Sequence, residues 1–225
     1  MPWFDSVYGV VQVPPPPDNA HANDGQFIDL WNGVVAYSNL PPGFNHPAIL
    51  QPVLSWGYNG IAAWWIVMWY IDSFDADLPF IFAASQVDSG TFLRLNTYVR
   101  NDSGCSVSDG NNCNWAMRVW ENGGIDYTYY FNSTPGTWSI AWRAVLETYP
   151  PGGNQTDPEC DCAELPQGGV SHWTSTNVYQ PFWTPTDYHQ QTANWAAEST
   201  NSPRLISGCN YNLANKSQSA VDLTW

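Results

Sequence analysis

Four histidines, His21, His46, His172 and His189, stand far apart in this chain. None falls in the His-Glu-x-x-His spacing that sets two zinc ligands on one helix face. No Gly-x-Ser-x-Gly elbow presents a serine nucleophile, and no glycine-rich loop cradles a phosphate. Five cysteines occupy positions 105, 113, 160, 162 and 209, and the odd count leaves at least one without an intrachain disulfide partner. Cys105 and Cys113 flank the turn-rich stretch Ser-Val-Ser-Asp-Gly-Asn-Asn and are expected to pair where the compartment is oxidising. Cys160-Asp161-Cys162 has no His/Cys pair at zinc spacing beside it, so no metal and no other cofactor is expected. Acid–base work falls to the carboxylates. Paired acids suited to glycoside hydrolysis, Glu147 with Glu121 or Asp72, are one arrangement to weigh. Amide hydrolysis is another: a base activates water while a donor stabilises the oxyanion, work that a carboxylate and a carboxamide can share.

The charge balance narrows the partners. With 20 acidic against 6 basic residues, net charge −14 and pI about 4.2, the field of the chain repels phosphate backbones and anionic membranes. Nucleic acid is not an expected partner. No run of about 18 apolar residues exists to span a bilayer; the most hydrophobic stretch, 61–71, is short and rich in Trp. The opening Met1-Pro2-Trp3-Phe4-Asp5 lacks a basic region followed by an apolar core, so no signal peptide is expected in this chain. Four sequons, at Asn101, Asn132, Asn154 and Asn215, suit a secreted glycoprotein, although a Ser/Thr/Asn-rich chain produces such triplets by chance. The oligomeric state is not legible.

The elements that must position these residues read as strands. Short runs rich in Val, Ile, Trp, Tyr and Phe are separated by Gly, Pro, Asn and Asp, and helix signals are nearly absent. Strands are expected over 27–37, 49–56, 63–71, 80–87, 92–100, 114–121, 126–131, 137–149 and 170–179. Asn122-Gly123-Gly124 and Asp88-Ser89-Gly90 are hairpin signals. The reading is one all-β domain over 1–225, a two-sheet antiparallel β-sandwich of the concanavalin or eqolisin-like jelly-roll kind. A Pro-rich arm covers 1–25, the core 26–180, and an irregular extension 181–225. Alternation sets Leu50, Leu54 and Trp56 on one face and Gln51 with Ser55 on the other. Over 137–149 it sets Trp138, Ile140, Trp142, Ala144 and Leu146 against Ser139, Ala141, Arg143, Val145 and Glu147.

Five short motifs, in order over about residues 27–180, give the chain a resemblance to the eqolisin family of glutamic peptidases. Trp31-Asn32-Gly33-Val34-Val35 is similar to the family's Trp-Val-Gly-Ile-Asp strand, and Ala48-Ile49-Leu50-Gln51 to the Ile-Leu-Gln run with its catalytic Gln. The stretch from Ala63-Trp64-Trp65 to Trp69-Tyr70-Ile71-Asp72 resembles the family's aromatic strand, and Val87-Asp88-Ser89-Gly90 its Gly-Asp turn. Ala144-Val145-Leu146-Glu147-Thr148-Tyr149 stands where the family carries its catalytic Glu. Two positions depart: the Asp of the family's first strand has no match, and Pro52 follows Gln51 where the family has Thr-Gly.

The resemblance implies an acid endopeptidase in which Glu147 activates water and Gln51 holds the oxyanion. The carboxylate would work near its own pKa, about 4.3 when unperturbed. Trp31, Trp65, Trp69, Tyr70, Asp72 and Arg143 are then the expected substrate-binding residues on a polypeptide substrate. It also implies secretion, whereas the missing leader suits a cytoplasmic chain, and both stay open. The rival reading is a non-catalytic lectin on the same sandwich, binding a glycan by stacking sugar faces on Trp and Tyr.

Overall fold

The computed structural model of the chain describes residues 6–17, 26–38, 48–71, 80–100, 114–131, 137–149, 165–166, 170–180, 189–190, 212–214 and 220–224. They form two antiparallel sheets packed as a sandwich, with no α-helix among the described residues. The five-stranded sheet runs in the order β5 (Phe80–Val87), β4 (Trp64–Ile71), β3 (Ala48–Trp56), β2 (Phe27–Ser38) and β9 (Thr137–Tyr149). The eight-stranded sheet runs β12 (Asn212–Ala214), β13 (Val221–Thr224), β10 (Val170–Gln180), β1 (Ser6–Gln12), β6 (Phe92–Val99), β7 (Trp115–Trp120) and β8 (Asp126–Phe131). A two-residue β11 (His189–Gln190) pairs beside β10. Among the described residues no helix is long and apolar enough to cross a membrane.

Period-2 patterning builds the core between the sheets. On β6, Leu93, Leu95 and Thr97 are buried while Arg94, Asn96 and Tyr98 are half-buried on the other face. From the five-stranded sheet come Ile28, Leu30, Val34, Leu50, Leu54, Trp56, Trp64, Ile66 and Met68. Each such side chain contributes about 1.5–3 kcal/mol by leaving water. Trp56 and Trp64 meet edge to face, 5.6 Å between centroids. Asn32, inside this apolar layer, donates from Nδ2 to the Leu95 carbonyl at 3.3 Å, a polar tie between the sheets. The hairpin expected at Asn122-Gly123-Gly124 is present and joins β7 to β8, whereas the turn at Asp88-Ser89-Gly90 is not the expected hairpin: it carries the chain from β5 of the smaller sheet to β6 of the larger, and the two strands do not pair. Both turns use a glycine at positive φ, 87° at Gly90 and 91° at Gly123.

The stretch expected to lie on the domain as an arm instead supplies β1, an interior strand of the larger sheet between β10 and β6. Its alternation, with Val7, Gly9 and Val11 inward, continues into buried Val13. The prolines that follow lack the N–H needed to continue a ladder, so pairing stops there apart from a bridge between Pro17 and Pro166. In the expected extension, β12 and β13 widen the same sheet beyond β10. The Cys105/Cys113 loop, Cys160-Asp161-Cys162, the four sequons and Asp72 lie outside the described residues.

Candidate functional site

The face of the five-stranded sheet turned away from the core is also buried, and it carries polar groups. Three cross-strand rows define it. In the first, the register running from Trp31 opposite Val53 to Val34 opposite Leu50 sets Gly33 opposite Gln51, with Trp69 beyond Gln51 and Trp142 on the far side of Gly33. In the second, Trp31 lies between Val145 and Val53, and Val67 follows. In the third, Asp29 lies between Glu147 and Ser55, and Trp65 follows.

Gln51 is 2% exposed and Asp29 1%. The Oε1 of Gln51, the Oγ of Ser55 and the indole Nε1 atoms of Trp65 and Trp69 are buried with no hydrogen-bond partner. Buried indoles elsewhere in the sandwich share that condition. A carboxamide oxygen is a stronger acceptor than an indole is a donor, however, and leaving it unmet costs about 1–3 kcal/mol.

Gly33 is what allows Gln51 to sit there. A Cβ built on Gly33 overlaps the Leu50 carbonyl oxygen and stands 3.2 Å from both Cα and Cβ of Gln51. Gly33→Ala is therefore expected to destabilise the fold by about 1–3 kcal/mol through overpacking, read as a lower urea midpoint at unchanged slope. No such loss would mean that β2 and β3 are less closely apposed.

The expected site residues divide. Trp31, Trp65 and Trp69 occupy the same face as Gln51. Tyr70 does not: it pairs with Leu50 and packs against the core, because alternation from Trp69 turns it inward. Glu147 takes the register position opposite Asp29. Arg143 falls in an irregularity of β9, where the partners of Trp31 and Gly33 are Val145 and Trp142, one residue more than strict pairing allows. This bulge breaks the unbroken alternation expected over 137–149 and carries Trp142 to the row of Gly33. Asp29 was not singled out by motif or composition; only the register of β2 against β9 brings it to Glu147. Glu121 belongs to the β7–β8 hairpin of the other sheet, where its Oε1 accepts from the Ile125 N–H at 3.4 Å, so it forms no acid pair with Glu147.

Gln51 and Glu147 stand on strands separated by β2, opposite residues four apart on it. At about 3.3 Å per residue and 4.8 Å between strands, their backbones are roughly 16 Å apart. Among the described residues no cluster of His, Cys, Asp and Glu is arranged to hold a metal ion.

No protein-family model matches the sequence, and no curated protein matches it. Solved structures do match. Scytalido-glutamic peptidase, solved with a transition-state analogue inhibitor, aligns over 99% of this chain and 92% of its own with a TM-score of 0.55 at 12% identity. SCP-B, a member of the Eqolisin family of peptidases solved with the tripeptide Ala-Ile-His, aligns over 99% and 92% with a TM-score of 0.51 at 13% identity. At these identities the likeness carries the fold: the chain has the two-sheet antiparallel sandwich of eqolisin-type glutamic peptidases.

Proposed function

We propose that the protein is an acid endopeptidase in which Glu147 and Gln51 act on a polypeptide held across the polar face of the five-stranded sheet. The observation that carries the reading is Gln51: an amide with an unpartnered oxygen, 2% exposed, on the strand and in the fold where the resemblance expects it. Glu and Gln side chains each reach roughly 5 Å from Cα. Side chains stand roughly perpendicular to a sheet, so with backbones roughly 16 Å apart a change of sheet curvature has to bring both groups onto one scissile bond.

In this arrangement the Glu147 carboxylate takes a proton from the water as its oxygen attacks the carbonyl carbon. Gln51 donates from Nε2 to the oxygen that becomes negative, and the Glu147 proton then passes to the leaving amine nitrogen. Trp31, Trp65 and Trp69 furnish apolar surface for the substrate chain. Because Gln51 is so little exposed, substrate entry requires this face to open.

The test is incubation of the protein with acid-denatured haemoglobin or casein across the pH scale. Cleavage is expected near pH 3–4, where a glutamate is partly ionised. No new peptides at any pH between about 2 and 5 would reject the reading.

A further inference from the structure

The outward face of the eight-stranded sheet carries a second chemical pattern, independent of the peptidase reading. Three of the chain's six basic residues, Arg94, Arg100 and Arg118, lie here on β6 and β7 or at the end of β6, in a protein of net charge −14. They are interleaved with rings. The Arg100 guanidinium lies over Tyr130 and that of Arg118 over Trp120, each 4.7 Å from the ring centroid. Arg94 is the register partner of Trp120, and Trp120 stands 5.8 Å from Tyr8. Arg118 is held in place by a bidentate pair with Asp126, at 2.9 and 2.8 Å. Asp126 is correspondingly more acidic than an ordinary carboxyl, owing first to that hydrogen bond. Among the described residues Arg94 makes no ion pair.

The face is shaped for something flat and extended. Tyr98, Ala116 and Tyr130 form one cross-strand row. Ala116 is fully covered by its neighbours, so this row presents the rims of two phenol rings on strands roughly 10 Å apart. Tyr130 and Phe92 are 56% and 55% exposed, unusually open for rings on a sheet. Between them Asn96 accepts from the Ser6 hydroxyl at 3.0 Å, which fixes its amide with the Nδ2 donors still available.

We infer that this face is a binding surface for a polyuronate, a glycan whose pyranose rings bear carboxylates. Ring faces offer C–H surface to exposed aromatics, the Arg94 guanidinium matches a carboxylate, and a fixed amide reads hydroxyls. Charge complementarity selects the acidic glycan over a neutral one, since the arginines cluster here against the sign of the rest of the chain.

The test uses the full chain and polygalacturonate, with neutral galactan and polyglutamate as comparisons, in affinity electrophoresis and calorimetry at low salt. Retention by polygalacturonate is expected to exceed that by galactan about tenfold or more, and to exceed that by polyglutamate. Phe92→Ala and Tyr130→Ala are each expected to weaken it about three- to tenfold, and Arg94→Ala to weaken it and lower its salt dependence. Thermal unfolding of each variant checks that the exposed substitutions leave the fold intact. Three results would overturn the inference: no retention by polygalacturonate; equal retention by polyglutamate with the ring variants unaffected; or a dimer in sedimentation that Phe92→Ala dissolves, which would make the face a contact between copies of the chain.

Discussion

Glu147→Gln is expected to lower acid proteolysis by at least about a hundredfold while leaving the unfolding transition in place, because removal of a general acid–base group forfeits about 10²–10⁴ in rate. The substitution keeps the size of the side chain and removes its proton chemistry. If the variant cleaves as well as the parent, Glu147 is not the base. A companion variant separates catalysis from environment. Asp29 is the cross-strand register partner of Glu147, and a second carboxylate beside the first disfavours its ionisation. The active base must be ionised, so activity is lost as pH falls through its pKa. Asp29→Asn removes that neighbouring carboxyl, and the acidic limb of the rate profile is expected to move to lower pH. An acidic limb that stays put in Asp29→Asn would show the two groups to be uncoupled.

The second large effect concerns Gln51, where activity and stability are expected to move in opposite directions. Gln51→Leu removes the oxyanion donor, for which a loss of about a hundredfold or more is expected. It also replaces an amide whose oxygen is buried without a partner by an apolar side chain of similar size. Relief of that desolvation should raise stability by about 1–3 kcal/mol, seen as a higher urea midpoint with unchanged slope. A purely structural glutamine would give the reverse, with stability falling and no activity to lose.

Most of the sandwich is legible in the sequence, for reasons visible strand by strand. β5, β8 and β9 keep the limits expected from their aromatic and β-branched runs, since Gly, Asn or Pro punctuates their ends. β1 is not legible, because the proline run after it dominates composition while its own seven residues carry only weak alternation through Gly9. β12 and β13 are three and four residues long, too short for a period to emerge. At the site the same physics decides. Regular pairing of β3 makes the face of Gln51 readable from parity alone. On β9 the bulge between Trp142 and Val145 makes parity fail part-way along the strand. The meeting of Asp29 with Glu147 depends on register, which only the paired strands define.

The placement of β1 also sets the order in which the molecule can assemble. Ser6 pairs with Tyr179 on one side and Tyr98 on the other, and β10 in turn needs Val221 beyond it. β1 therefore waits, with a ladder edge open, until β10, far along the sequence, has been made. The β2–β3–β4–β5 meander joins neighbours in sequence and has no such delay. Loop closure over such separations is slow, and an unsatisfied strand edge in the interval invites pairing with another chain. Refolding from denaturant should accordingly be slow and concentration-sensitive, with the smaller sheet gaining protection from hydrogen exchange before the larger one.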